Sequence, residues 1–181
     1  MPLLLHQPKE VCLKIEHFWD GSLNMDERLW ADVSLSQNKQ GIVITALSPI
    51  LADQNIPQFP LGTRVDGLWN HDVVEVFFVG PGHQYLEIEL GAGGHFLVLG
   101  FDSIRHCSDT FESLDPHLVF DRTDGQKWKS EVLIPYKIIP ENIRALNAFA
   151  ILNHQFLAYA PVPGDKPDFH QPDRFPFFTL Q

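Results

Sequence analysis

The sequence predicts an all-β fold, an antiparallel β-sandwich, and three observations carry that prediction. Short apolar runs with period-two alternation recur along the 181 residues. Fourteen prolines and twelve glycines punctuate them. No window sustains a helical period, and the best helical candidate is one turn near Pro140.

Taken in order, strands are expected over residues 11–18, 29–35, 41–47, 72–79, 84–90, 95–101, 118–121, 128–134, 147–153 and 175–179. Two connections are unusually long. One covers residues 48–68, with Pro49, Pro57, Pro60 and Gly62. The other covers residues 160–174, with Pro161, Pro163, Pro167 and Pro172. Long ordered loops in a compact fold are often functional. No repeat or linker divides the chain, so one domain over residues 1–181 is expected.

Composition narrows the function classes. The net charge is −10, with only 13 Lys and Arg. Nucleic acid and anionic membrane are excluded as expected partners, because too few cations are present to neutralise phosphates. No stretch is long enough to span a bilayer. Met1-Pro2-Leu3-Leu4-Leu5 lacks a basic flank and runs straight into His6, Gln7 and Pro8, so no signal peptide is expected. Two distant cysteines, Cys12 and Cys107, suit a reducing cytoplasm better than a disulfide framework.

The central strands carry the chemistry. Val74, Val76 and Phe78 share one face, as do Leu86, Ile88 and Leu90. Leu97, Leu99 and Phe101 are expected to continue that core face. The expected register pairs Val76 with Leu86, Val74 with Ile88, Ile88 with Leu97 and Leu86 with Leu99. It puts Glu75 across from Glu87, Val73 across from Glu89 and Phe77 across from Tyr85, with Phe96 and Val98 nearby. Like charges facing each other destabilise a sheet by up to ~1 kcal/mol, so they call for a cation, a shared proton or hydroxyl donors. The plain alternative is a solvated face neutralised by Lys14, Arg28, Lys127 or Lys129.

Further candidates surround this group. Trp69 ends a long loop and can stack on a sugar ring or serve as a packing residue. Trp19, Trp30 and Trp128 read as structural. Asp168 and His170 sit in a rigid proline loop, where Asp168 can orient the imidazole or merely cap a turn held by Phe169. His71 beside Asp72, and His154 at a strand end, can reach the same rim. The nine histidines show no zinc-enzyme spacing, and no nucleophile elbow, phosphate loop or dinucleotide fingerprint is present.

Several dispersed segments carry a family resemblance. They include Lys14 through Gly21, Leu68-Trp69 through Phe78, Gln84 through Leu90, Leu97-Val98-Leu99 and Trp128. Further on come Leu133-Ile134-Pro135, Asn147, Phe149-Ala150-Ile151, Pro161-Val162-Pro163, Pro167 through His170, Phe175 and Phe178. In these the chain resembles an uncharacterised, UPF-type protein family of bacteria and animals. More remotely, the Trp69, Asp72 and Glu75 stretch is similar to family 9 carbohydrate-binding modules and to the DOMON-like β-sandwiches that bind sugars or haem. The resemblance implies that sandwich and sugar binding, with Trp69 matching one of two ring-clamping tryptophans. Haem ranks low, because Met25 is the only internal methionine.

The resulting expectation is a DOMON-like or family-9-module-like jelly-roll domain, cytoplasmic and noncatalytic, that binds carbohydrate or another small polyhydroxylated ligand. Trp69, Asp72, Glu75, Tyr85, Glu87, Glu89, His154, Asp168 and His170 are the candidate binding residues. No catalytic residue, metal ligand or cofactor is assigned, though Ca²⁺ at the carboxylates stays open. The rivals are a hydrolase-type enzyme using the Glu75 and Glu87 pair, and a protein-interaction domain.

Overall fold

A computed structural model describes residues 3–5, 10–122 and 125–180. Met1, Pro2, His6, Gln7 and Pro8 lie outside the described residues. The fold is two antiparallel sheets packed face to face. The five-stranded sheet contains β2 (Val11–Ile15), β4 (Ala31–Gln37), β5 (Gly41–Pro49), β10 (Val119–Asp121) and β11 (Lys127–Pro135), in the order β10-β11-β5-β4-β2. The seven-stranded sheet contains β3 (His17–Phe18), β6 (Val73–Val79), β7 (Tyr85–Gly91), β8 (Phe96–Ser103), β9 (His106–Asp109), β12 (Ala145–Leu152) and β13 (Gln155–Ala158). Its order is β3-β13-β12-β6-β7-β8-β9. A short parallel pair joins β1 (Leu3–Leu5) to β14 (Phe178–Leu180).

The five-stranded sheet follows the one-sided pattern of an antiparallel sheet. Leu13, Val33, Ile44 and Val132 point inward, while their sequence neighbours reach solvent. Across the interface, Val74, Val76, Phe78, Leu86, Ile88, Leu90, Ala148 and Ala150 face them. Trp128 is fully buried in this core. The central strands β6, β7 and β12 differ, being buried along their whole length. Their outer face therefore supports a second apolar layer, which includes Phe77, Phe149, Phe169 and Phe175.

Turn lengths set the register and correct the expected one. The expected pairing would leave Pro81 alone between Gly80 and Gly82, too short for any hairpin. The chain instead uses Pro81-Gly82-His83, with Gly82 and His83 both at φ 66, and the Gly80 amide donates to the Gln84 carbonyl at 2.9 Å. Glu75 consequently pairs with Glu89, Phe77 with Glu87, Val79 with Tyr85 and Val76 with Ile88. This is a two-residue slip, so every side chain keeps its face.

The next turn has a larger effect. Ala92-Gly93-Gly94 spans it, closed by the Gly91 amide donating to the His95 carbonyl at 2.9 Å. A three-residue turn replaces the expected two-residue one, and β8 turns over relative to expectation. Ile88 pairs with Val98 and Leu90 with Phe96. Phe96 and Val98 join the inter-sheet core, while Leu97, Leu99 and Phe101 join Glu87 and Glu89 on the outer face.

Strands β1, β9 and β13 were not expected from sequence. β13 follows a two-residue turn at Asn153-His154, where φ is 48 and 61, the geometry of a tight hairpin. β9 is a polar edge strand with no apolar alternation to reveal it.

Gly94 holds φ 76, and a Cβ there would meet the Phe120 ring at 2.8 Å. Gly62 holds φ 83 with nothing within 4 Å. Gly62→Ala is expected to cost about 1–2 kcal/mol from backbone strain alone. Gly94→Ala should cost more, because it adds the clash. Urea denaturation of both variants gives the comparison, and equal midpoints would contradict the assigned turn.

Candidate functional site

The outer face of the seven-stranded sheet is covered by the two long loops. The first docks by backbone pairing, with the Val65 amide donating to the Phe96 carbonyl at 3.0 Å and the Phe96 amide to Thr63 at 3.3 Å. Gly67, at φ 74, then starts a single 3-10 turn, Leu68–Asn70. That turn buries Leu68 and turns Trp69 outward, 46% exposed. The second loop docks by rings. Phe169 stacks on Phe149 with centroids 4.0 Å apart, and Phe175 meets Phe77 edge-on at 5.8 Å. Each such ring pair adds roughly 0.5–1.5 kcal/mol beyond burial.

Between the loops lies a cleft of about 500 Å³. The sheet lines it with Glu75, Glu87, Leu99, Phe101 and Ile151, and β13 adds Phe156. The loops add Trp69, Phe169 and His170, with Asp66, Arg105 and Asp168 also present. An apolar hollow with a few convergent polar groups is the usual form of a small-molecule site.

The carboxyl groups dominate its electrostatics. Glu75 and Glu87 are each 3% exposed, and Glu89 is wholly buried. Glu87 Oε2 and both Glu89 carboxyl oxygens have no hydrogen-bond partner. Burial drives all three pKa values upward. Glu87 is pushed up to about 8, with the nearby Arg105 charge partly opposing the rise. Glu75 and Glu89 stand well above the ordinary carboxylate range, first from burial and then from mutual repulsion within the trio. The trio thus resolves its like-charge conflict by holding protons.

A polar network pins the second loop beside these acids. The two-residue turn Ile104-Arg105 ends β8, with Arg105 at φ 61. The Arg105 amide donates to the Tyr85 hydroxyl at 3.0 Å, and that hydroxyl meets His170 Nδ1 at 2.7 Å. The Arg105 guanidinium reaches Asp168 at 2.7 Å, and Asp168 accepts the His170 amide at 2.9 Å. Burial, then the Arg105 charge, lowers the His170 pKa to about 4, so the imidazole is neutral. The hydroxyl can therefore donate to Nδ1, which leaves Nε2 carrying the imidazole proton.

The structure brings together most of the residues singled out in the sequence. Trp69, Glu75, Glu87, Asp168 and His170 line the cleft. Glu89 lies buried beside Glu75 and Glu87 on the same face, and Tyr85 holds His170. Asp72 and His154 are not brought to it. Asp72 is buried at the start of β6, where its Oδ1 accepts the Asn153 amide at 3.0 Å. His154 is exposed on the β12–β13 turn. The basic residues expected to neutralise the face, Lys14, Lys127 and Lys129, lie on strands of the other sheet, and Arg28 pairs with Asp26. Arg105, Arg64 and Phe156 were missed by sequence reasoning. Arg105 sits in a polar turn with no distinctive pattern, and Phe156 belongs to an unexpected strand. Among the described residues, no three His, Cys, Asp or Glu side chains converge as a metal-ligand set, and no helix is long and apolar enough to cross a membrane.

No known family model matches the chain. Individual relatives do. A protein of Danio rerio named UPF0462 protein C4orf33 homolog is 31% identical over 178 residues, covering 92% of this chain and 88% of the relative. The homolog in Mus musculus is 33% identical over 178 residues, covering 92% and 90%. UPF0462 protein C4orf33 of Homo sapiens is 32% identical over 179 residues, covering 92% and 87%. Among solved structures, a "putative carbohydrate-binding protein" from Bacteroides uniformis superposes with a TM-score of 0.69 at 14% identity. It covers 94% of this chain and 86% of its own. At that identity the likeness supports the β-sandwich fold alone.

The raised carboxyl pKa values have a stability consequence. Between the ordinary value of 4.5 and about 8, folded Glu87 keeps a proton that the unfolded chain has lost. Stability is therefore lost as pH rises through that interval, by at most ~1.4 kcal/mol per pH unit for each such group. His170 acts oppositely, since its lowered pKa costs stability as pH falls from 6.5 toward 4. Melting temperature should fall between pH 6.5 and 8, and Glu87→Gln should flatten that fall. An unchanged slope in the variant would contradict the assignment.

Proposed function

This chain belongs to the UPF0462 family, and for it we propose a ligand-binding β-sandwich whose cleft takes carbohydrate or another small polyhydroxylated molecule. The reading extends to the DOMON-like and family-9-module-like character that the Trp69, Asp72 and Glu75 stretch resembles. One observation carries it above the others: the buried, unpartnered Oε2 of Glu87 belongs to a cleft also lined by Glu75 and by aromatic side chains, including a half-exposed tryptophan.

The chemistry suits hydroxyl-rich ligands. A protonated carboxyl both donates and accepts, as a sugar hydroxyl does. Glu75 and Glu87 offer that pair of roles within one cleft. Trp69, Phe156 and Phe169 supply apolar aromatic lining for the apolar side of a ring. His170, held by the Tyr85 hydroxyl at 2.7 Å, adds a further hydrogen-bonding group to the lining. The structural neighbour named for carbohydrate binding supports the same reading by its fold.

A second reading, acid/base catalysis, is favoured by Glu87 alone. A carboxyl raised to about 8 keeps its proton at neutral pH, as a general acid must. No nucleophile signature accompanies it, so binding ranks first.

Titration calorimetry against a panel of mono- and oligosaccharides tests the binding reading. A saccharide from the panel should bind, and Trp69→Ala should weaken it at least tenfold while the fold persists. Uniform silence across the panel, or full affinity in Trp69→Ala, would count against the reading.

A further inference from the structure

We propose that the ligand carries a protonated amine beside its hydroxyls, and that this ammonium seats on Glu75 and Glu87. This rests on the binding reading above and narrows its ligand class.

The charges around the cleft are paired everywhere except among these acids. Arg105 is committed to Asp168 at 2.7 Å. Arg64 is committed to Asp66 at 2.7 Å and to the Thr110 carbonyl at 2.9 and 3.1 Å. The Tyr85 hydroxyl is taken by the Arg105 amide and His170. Cys107, also in the cleft, donates toward the Asp109 carbonyl at 3.5 Å. What remains is an excess of acid with no counter-ion: Glu75 and Glu87 lining the cleft and Glu89 behind them. Glu87 Oε2 is buried and unpartnered.

A wholly neutral ligand leaves that excess uncompensated, and the acids must keep their protons. An ammonium instead brings three N–H donors and the missing positive charge to acceptor-only carboxylates. The aromatic lining favours the same ligand. Trp69, Phe156 and Phe169 line the cleft, and aromatic rings attract cations when water is excluded. The cleft thus combines three things an amino-polyol needs: unpaired acids, ring faces, and hydroxyl partners such as His170.

Ligand and proton then compete for the same carboxyls. The free site holds its Glu87 proton below about pH 8. Seating an ammonium expels a proton there, so affinity rises as pH rises toward 8. Arg105 and Arg64 are present in both states and only lower the starting pKa values of Glu87 and Glu89.

The test is calorimetry on the full chain with 6-amino-6-deoxyglucose against glucose, and N-methylglucamine against sorbitol. At pH 7.5 the amino ligand of at least one pair should bind tenfold or more tighter than its neutral parent. Its affinity should be lower at pH 6.0. Repeating the titration in phosphate and Tris, which differ in ionisation enthalpy, should show about one proton released at pH 7. Glu87→Gln should erase the preference for the amine, and the proton count on the unmodified protein needs no variant at all. Neutral parents binding as well as the amines, without proton release, would overturn the amine proposal and leave the carbohydrate reading standing. Silence from all four ligands and from the saccharide panel would overturn both.

Discussion

The cleft depends on one costly arrangement: three glutamates buried on a single sheet face with no ion pair to any of them among the described residues. Glu75, Glu87 and Glu89 come from two adjacent strands, with Glu75 and Glu89 directly paired. Burying an ionised carboxylate alone is prohibitive, so such groups take up protons instead. The loops that bury them are held by independent interactions, namely the Phe149–Phe169 stack, the Phe77–Phe175 contact and the Arg105–Asp168 bridge. The surrounding packing thus sustains a local conflict that gains nothing for the fold itself. Strained or unsatisfied groups held in this way are a common mark of a working site.

Much of this was legible in the sequence, and the reason is periodicity. Alternation in residues 73–79 and 85–91 separated the apolar face from the carboxylate face. A two-residue error in register left that division intact, because a strand repeats every two residues. The error at β8 was of the opposite kind. One extra residue in the Ala92-Gly93-Gly94 turn exchanged Leu97, Leu99 and Phe101 with Phe96 and Val98. Both faces of β8 are apolar, so alternation alone could not choose between them. Turn length decided, and runs of glycine do not declare their turn length.

The loop residues were less legible for a different reason. Trp69 and the Asp168–His170 segment stood out by residue type, yet their placement depends on contacts made from distant strands. Gly67 sets the turn that exposes Trp69, and Tyr85 fixes His170 from 85 positions away. Arg105 stabilises Asp168 and moderates Glu87 from a hairpin turn whose sequence, Ser103-Ile104-Arg105-His106, carries no recognisable pattern. Asp72 illustrates the converse. Its position beside a conspicuous tryptophan suggested the site, but it lies one residue before β6 and is spent on the Asn153 amide. Adjacency in sequence is a weak guide where the chain changes direction between loop and strand.

The account stands on protonated carboxyls under the loops, and carboxyl ¹³C shifts followed by NMR across pH 4 to 9 test this directly. Three glutamate resonances should remain unionised at pH 6, with that of Glu87 reaching its midpoint near 8. If every glutamate side chain instead ionises between pH 4 and 5, the acids are solvated or paired, and the cleft described here does not exist in solution.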